Sequence, residues 1–136
     1  MKVLQFAFDG REDNERLPHG IPENCVCYTG THDNAPLGEW FAEEDATCLD
    51  MARRYVGLNE REGSIWGMVR EGASSPAVLF FAQMQDYLEL GSETRVNIPG
   101  TMEGNWRWRL QKGQLTHELA QKIAAVVRLY GRGRQD

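Results

Sequence analysis

The sequence predicts an α/β fold of about three parallel strands joined by crossover helices, on three observations. Three apolar runs, at residues 2–8, 25–28 and 77–82, lack the polar alternation of a half-solvated sheet, so they read as strands buried on both faces. Helical periodicity falls between the second and third runs, and that alternation goes with a parallel sheet. Polar stretches follow the runs, which is where α/β sheets build their sites.

In chain order, residues 2–8 (KVLQFAF) form the first expected strand, ended by Asp9-Gly10. Residues 10–24, with Pro18, Gly20 and Pro22, read as loop. The strand at 25–28 runs into the polar turn Thr29-Gly30-Thr31-His32-Asp33-Asn34. A helix is expected from Asp45 to about Tyr55, with Leu49, Ala52 and Tyr55 on one face and Gly57 as its stop. A second helix follows Gly63-Ser64, buries Ile65, Trp66 and Val69, and ends before Pro76. The third strand, 77–82 (AVLFFA), leads to Gln83-Met84-Gln85-Asp86. Residues 91–105 read as loop, and a closing helix runs from an N-cap at Thr116 to Tyr130, with Gly131 after it.

At 136 residues the chain suits one domain. A complete (β/α)8 barrel needs about 250 residues, so three strands are too few to close one. The net charge of -5 argues against nucleic acid as a partner, since Arg128, Arg132 and Arg134 form only a short basic tail. No apolar run approaches the ~18 residues of a membrane span. Asp9, Arg11 and Glu12 come too early for a signal peptide. Three cysteines, an odd number, then favour reduced thiols and a cytoplasmic setting. Cys25-x-Cys27 is too closely spaced for a structural zinc pair, so both thiols read as small buried hydrophobes, with no metal and no cofactor expected. Neither a Gly-rich phosphate loop nor a Gly-x-Ser-x-Gly elbow is present.

The strongest local signal for chemistry is His32-Asp33 just past a buried strand. A carboxylate there can act as base, as nucleophile or as electrostatic partner to a developing cation. Alternatively, Asp33 or Asn34 caps the next helix through Asx-turn chemistry. Gln85-Asp86 is a second polar pair at a strand end, better read as a turn with an N-capping Asp. Asn97 lies in a loop shaped by Pro99-Gly100. Trp106 and Trp108 alternate as on a strand, where they either stack on sugar rings or pack in the core.

Four blocks carry a further signal: MKVLQFAF, LPHGIPENCVCYTGTHDN, MQDYLELGSETRVNIPGT and GNWRWRL. In this order they resemble the amylomaltases, the 4-α-glucanotransferases of glycoside hydrolase family 77, and the resemblance covers nearly the whole chain. It implies the C-terminal portion of a (β/α)8 TIM barrel of the α-amylase clan, acting on maltooligosaccharides and α-1,4-glucan by a retaining double displacement. It also implies that Asp33 is the third carboxylate, which stabilises the oxocarbenium-like transition state. His32 and Asn97 would hold sugar hydroxyls and Phe6 would line the glucan groove.

Two departures qualify this. Asp33-Asn34-Ala35-Pro36 stands where many members have Asp-Asn-Asp-Thr, a change expected to touch the following loop. The resemblance also places the nucleophile and the acid/base upstream of Met1, so the chain reads as a fragment or truncated frame, inactive alone. The rival expectation is a non-catalytic barrel remnant that binds glucan or a complementary chain, or self-associates through its exposed sheet edge. An unrelated hydrolase using His32-Asp33 lacks a placed Ser or Cys nucleophile.

Overall fold

The computed structural model describes residues 1–133; Arg134, in the expected basic tail, lies outside them. Three strands, β1 (Lys2–Val3), β2 (Val26–Tyr28) and β3 (Leu79–Phe81), pair in parallel in the order β1-β2-β3. Register sets Val3 beside Tyr28 and Tyr28 beside Phe81, so all three strands end at one edge. The helices are α1 (Leu37–Glu43), α2 (Ala46–Val56), α3 (Ser64–Ser74), α4 (Met84–Tyr87) and α5 (His117–Leu129).

The first strand is shorter than expected. It stops at Val3, and Leu4–Phe6 form a 3-10 turn closed by Ala7 N–H donating to the Leu4 carbonyl at 2.9 Å. The turn buries Leu4, Ala7 and Phe8, at helical spacing, and turns Phe6 outward. An unbroken apolar run cannot distinguish that arrangement from a strand.

The helix ends follow from local chemistry. Asp45 caps α2 by accepting from Thr47 N–H at 2.8 Å, and Gly57 leaves it in the left-handed region at φ +68°. Thr116 caps α5 through Leu119 N–H at 3.1 Å. Arg132 of the basic tail donates to the Ala73 and Ser75 carbonyls at the end of α3, a structural use. Helix α1 was not anticipated, although Leu37, Trp40 and Phe41 carry the i, i+3, i+4 signature.

The core lies between the sheet and α1–α3: Phe8 packs its ring against Trp40 and Tyr55, with Leu37, Leu49, Ala52, Trp66 and Met68 around them. Cys25 and Cys27 are buried, and desolvation pushes the Cys27 thiol up to about 11. Ile65 is only partly buried. The expectation of strands buried on both faces fails at β3. Leu79 and Phe81 are about half exposed while Phe80 turns toward α3 and the core. As an edge strand, β3 keeps the two-residue alternation of a sheet covered on one side.

Gly38 shows how closely α1 is seated. A Cβ there would press into the Leu90 backbone carbonyl. Gly38→Ala should therefore destabilise the chain by roughly 1–3 kcal/mol through overpacking, despite the ~1 kcal/mol that alanine gains in a helix. Urea denaturation reads the sign, and a more stable variant would show that α1 can shift.

Candidate functional site

The turn after β2 is held from several sides. Thr29 continues the ladder, its N–H donating to the Phe81 carbonyl at 3.1 Å, and its hydroxyl donates to buried Asp86 Oδ2 at 2.6 Å. Gly30 leaves room for two side-chain amides, since a Cβ would lie 2.7 Å from Gln5 Nε2 and 3.0 Å from Gln83 Nε2 and would push them aside. Those two amides clamp the loop: Gln83 donates to the Thr31 carbonyl at 3.0 Å and Gln5 to the Ala35 carbonyl at 2.7 Å. Asn34 does not cap the next helix; its Oδ1 reaches back within the turn and accepts from Thr31 N–H and Oγ1, both at 2.8 Å.

This leaves the Asp33 carboxylate free of capping. The first turn of α1 is capped instead by Asp86, whose Oδ1 accepts from Leu37 N–H at 2.7 Å. Asp86 was expected to cap its own segment; it lies inside α4 and caps α1, 49 residues away in sequence. Asp86 is fully buried, and desolvation raises its carboxyl above the ordinary Asp value, opposed by the bonds from Thr29, Leu37 and Gln83.

Asp33 Oδ1 accepts from Asn97 Nδ2 at 2.7 Å, and His32 Nε2 lies 3.3 Å from the same oxygen. Both His32 and Asp33 are about half exposed, so the carboxylate is oriented but open. The structure thus brings together His32, Asp33 and Asn97, the last of them 64 residues beyond Asp33. His32 also lines an open hollow of about 360 Å³ with Tyr28, Thr31, Phe81 and Gln83. Phe6 is not in contact with this group. It projects at the same edge of the sheet, 53% exposed, into a separate hollow with Phe8, Asp9, Arg16 and Glu44.

The tryptophan pair does not sit on a strand. Trp106 takes a left-handed backbone at φ +62°, its N–H donating to the Val96 carbonyl at 2.6 Å. Its exposed ring lies 5.0 Å from that of His32. The sequence reading did not single out Arg95, Gln5, Gln83 or Thr29. The polar type of Gln5, Gln83 and Thr29 at strand ends was the available signal, but only folding shows which loop each one, or Arg95, reaches. Among the described residues no group of three or more His, Cys, Asp or Glu side chains is placed to hold a metal ion. No helix among them is long and apolar enough to cross a membrane.

A strand-end carboxylate oriented by an amide and an imidazole, and open to solvent, can face a positively charged centre on a ligand. Comparisons with known proteins identify the family. The 4-alpha-glucanotransferase model of glycoside hydrolase family 77 matches residues 1–116. A 4-alpha-glucanotransferase of Clostridium butyricum is 45% identical over 136 residues, covering 97% of this chain and 27% of that protein. The Synechocystis 4-alpha-glucanotransferase is 42% identical over 133 residues, covering 97% of this chain and 26% of that one. An amylomaltase from Streptococcus agalactiae, solved in complex with acarbose, superposes with a TM-score of 0.94 at 30% identity, covering 98% of this chain and 27% of that one. The chain spans about a quarter of the length of the relatives it matches. With the family model matching residues 1–116 and a relative 45% identical across 97% of its length, the chain belongs to the 4-alpha-glucanotransferases of glycoside hydrolase family 77.

Proposed function

We propose that this segment supplies the transition-state-stabilising quarter of a 4-α-glucanotransferase, which moves α-1,4-glucan segments between maltooligosaccharides by a retaining double displacement. The observation that carries the reading is the Asp33 carboxylate, oriented by Asn97 at 2.7 Å and relieved of capping by Asp86. A fixed negative charge of this kind favours an oxocarbenium-like state over a neutral ground state. His32 and Asn97 hold sugar hydroxyls beside it, and Phe6 shapes the groove from the end of β1. Three reduced thiols, two of them buried, suit a cytoplasmic setting.

On this reading the segment carries one of the three carboxylates the mechanism needs, so by itself it should not transfer glucan. The test is transfer from maltotriose. A full-length enzyme carrying this segment should release glucose and build a ladder of longer oligosaccharides, and the 136-residue chain should do neither. Failure of the full-length enzyme to lengthen any α-1,4-glucan would end the reading. The exposed Val78, Leu79 and Phe81 favour a second reading, a non-catalytic segment that associates with itself or with a complementary chain. A monodisperse monomer in sedimentation, unchanged on adding the rest of the barrel as a separate chain, would rule that out.

A further inference from the structure

The Arg95 side chain bonds the backbone of both loops of the site. Its Nη2 donates to the Asp33 carbonyl at 3.3 Å, its Nε to the Asn97 carbonyl at 3.3 Å, and its Nη1 to Glu39 Oε1 at 2.9 Å. Glu39 lies in the first turn of α1 with its side chain only 10% exposed, and its other oxygen, Oε2, is buried without a partner. Arg95 is therefore the cation that compensates this carboxylate, and the pair ties the guanidinium to a helix seated in the core. A planar guanidinium holds its donors at fixed angles. Two backbone carbonyls 64 residues apart are thus referred to one rigid plane.

We propose that Arg95 is a positioning residue for the site: by fastening the backbones of Asp33 and Asn97 to α1, it sets the contact between Asn97 Nδ2 and Asp33 Oδ1. What that contact does for glucan transfer rests on the reading above, but the contact itself does not. Without the clamp, both residues sit on exposed loop, and their side chains are free to separate. Lysine in this place would keep a positive charge for Glu39. Its single ammonium could not also reach both carbonyls in their present directions.

The experiment is side-chain NMR on the isotope-labelled chain, following the Asn97 amide protons. In the wild type one of them is expected downfield and slowed in exchange by its carboxylate acceptor. Arg95→Lys should return the pair to the position and exchange rate of a solvated asparagine, with backbone amides of α2 and of Thr29 unmoved. The double variant Arg95→Gln/Glu39→Gln, which leaves no buried charge uncompensated, should give the same result. An unchanged Asn97 signal in both variants would overturn the proposal. So would signal changes spread through α2 and α3, because Arg95 would then be holding the fold rather than the pair. In the full-length enzyme, Arg95→Lys should lower kcat with KM nearly unchanged. A full-length enzyme that carries the wild-type segment and shows no transferase activity would end the glucanotransferase reading and leave the NMR result standing.

Discussion

Replacing Asp33 with asparagine in a full-length enzyme carrying this segment should lower kcat for maltotriose transfer by about 100- to 1000-fold, with a much smaller change in KM. Asparagine keeps the oxygen that accepts from Asn97 Nδ2, so the geometry of the turn survives and the charge is lost. The substrate is neutral when it binds and positive at the anomeric centre only near the transition state, so the missing charge is felt in kcat. The half-exposed position of the side chain means that little of the fold depends on it. Thermal denaturation of the variant should match the wild type within a degree or two. Near-normal transfer by Asp33→Asn would remove Asp33 from the chemistry.

The largest effect on stability is expected at Asp86. Asp86→Ala leaves the Thr29 hydroxyl and the Leu37 N–H buried without their acceptor, at about 1–3 kcal/mol each. Removing a buried charge offsets part of this. A net loss of roughly 3 kcal/mol is a large share of the stability of an ordinary domain. Asp86→Asn retains an oxygen for Leu37 N–H and should cost about 1 kcal/mol or less.

The two variants also separate the effect of charge. Burial raises the Asp86 carboxyl above its ordinary value, so the folded chain holds this proton over a range where the unfolded chain has released it. By linkage, the contribution of Asp86 is fully present below the ordinary Asp value and is lost as pH rises through the raised one. The stability of the wild type relative to Asp86→Asn should therefore increase as pH falls from neutral toward 4. Urea midpoints measured for both proteins across that range check the sign. A parallel pair of curves would show that Asp86 titrates alike in the folded and unfolded chain.

Much of this structure was legible in local patterns. The parallel three-strand sheet, the helices at Ala46–Val56, Ser64–Ser74 and His117–Leu129, and the caps at Asp45, Gly57 and Thr116 follow from periodicity and end chemistry that act within a few residues. His32-Asp33 stood out because a polar pair beyond an apolar strand is a local feature. The four motif blocks carried the family resemblance.

What local pattern could not decide was set by distance across the fold. Whether residues 4–6 continue a strand or turn depends on the pocket between sheet and α1–α2 that receives Phe8. Whether Asp33 caps a helix or stays free depends on Asp86, which arrives from α4 to take that task. Asn97 meets Asp33 across 64 residues of sequence, and Arg95, paired with Glu39, bonds the backbone of both. The sequence by itself determined most of the strands and helices, and where polar groups follow the strands, because those properties are written in neighbours a few residues apart. Only the tertiary structure decided the partner of each polar group, because a hydrogen bond depends on proximity in space, and folding brings together residues dozens of positions apart.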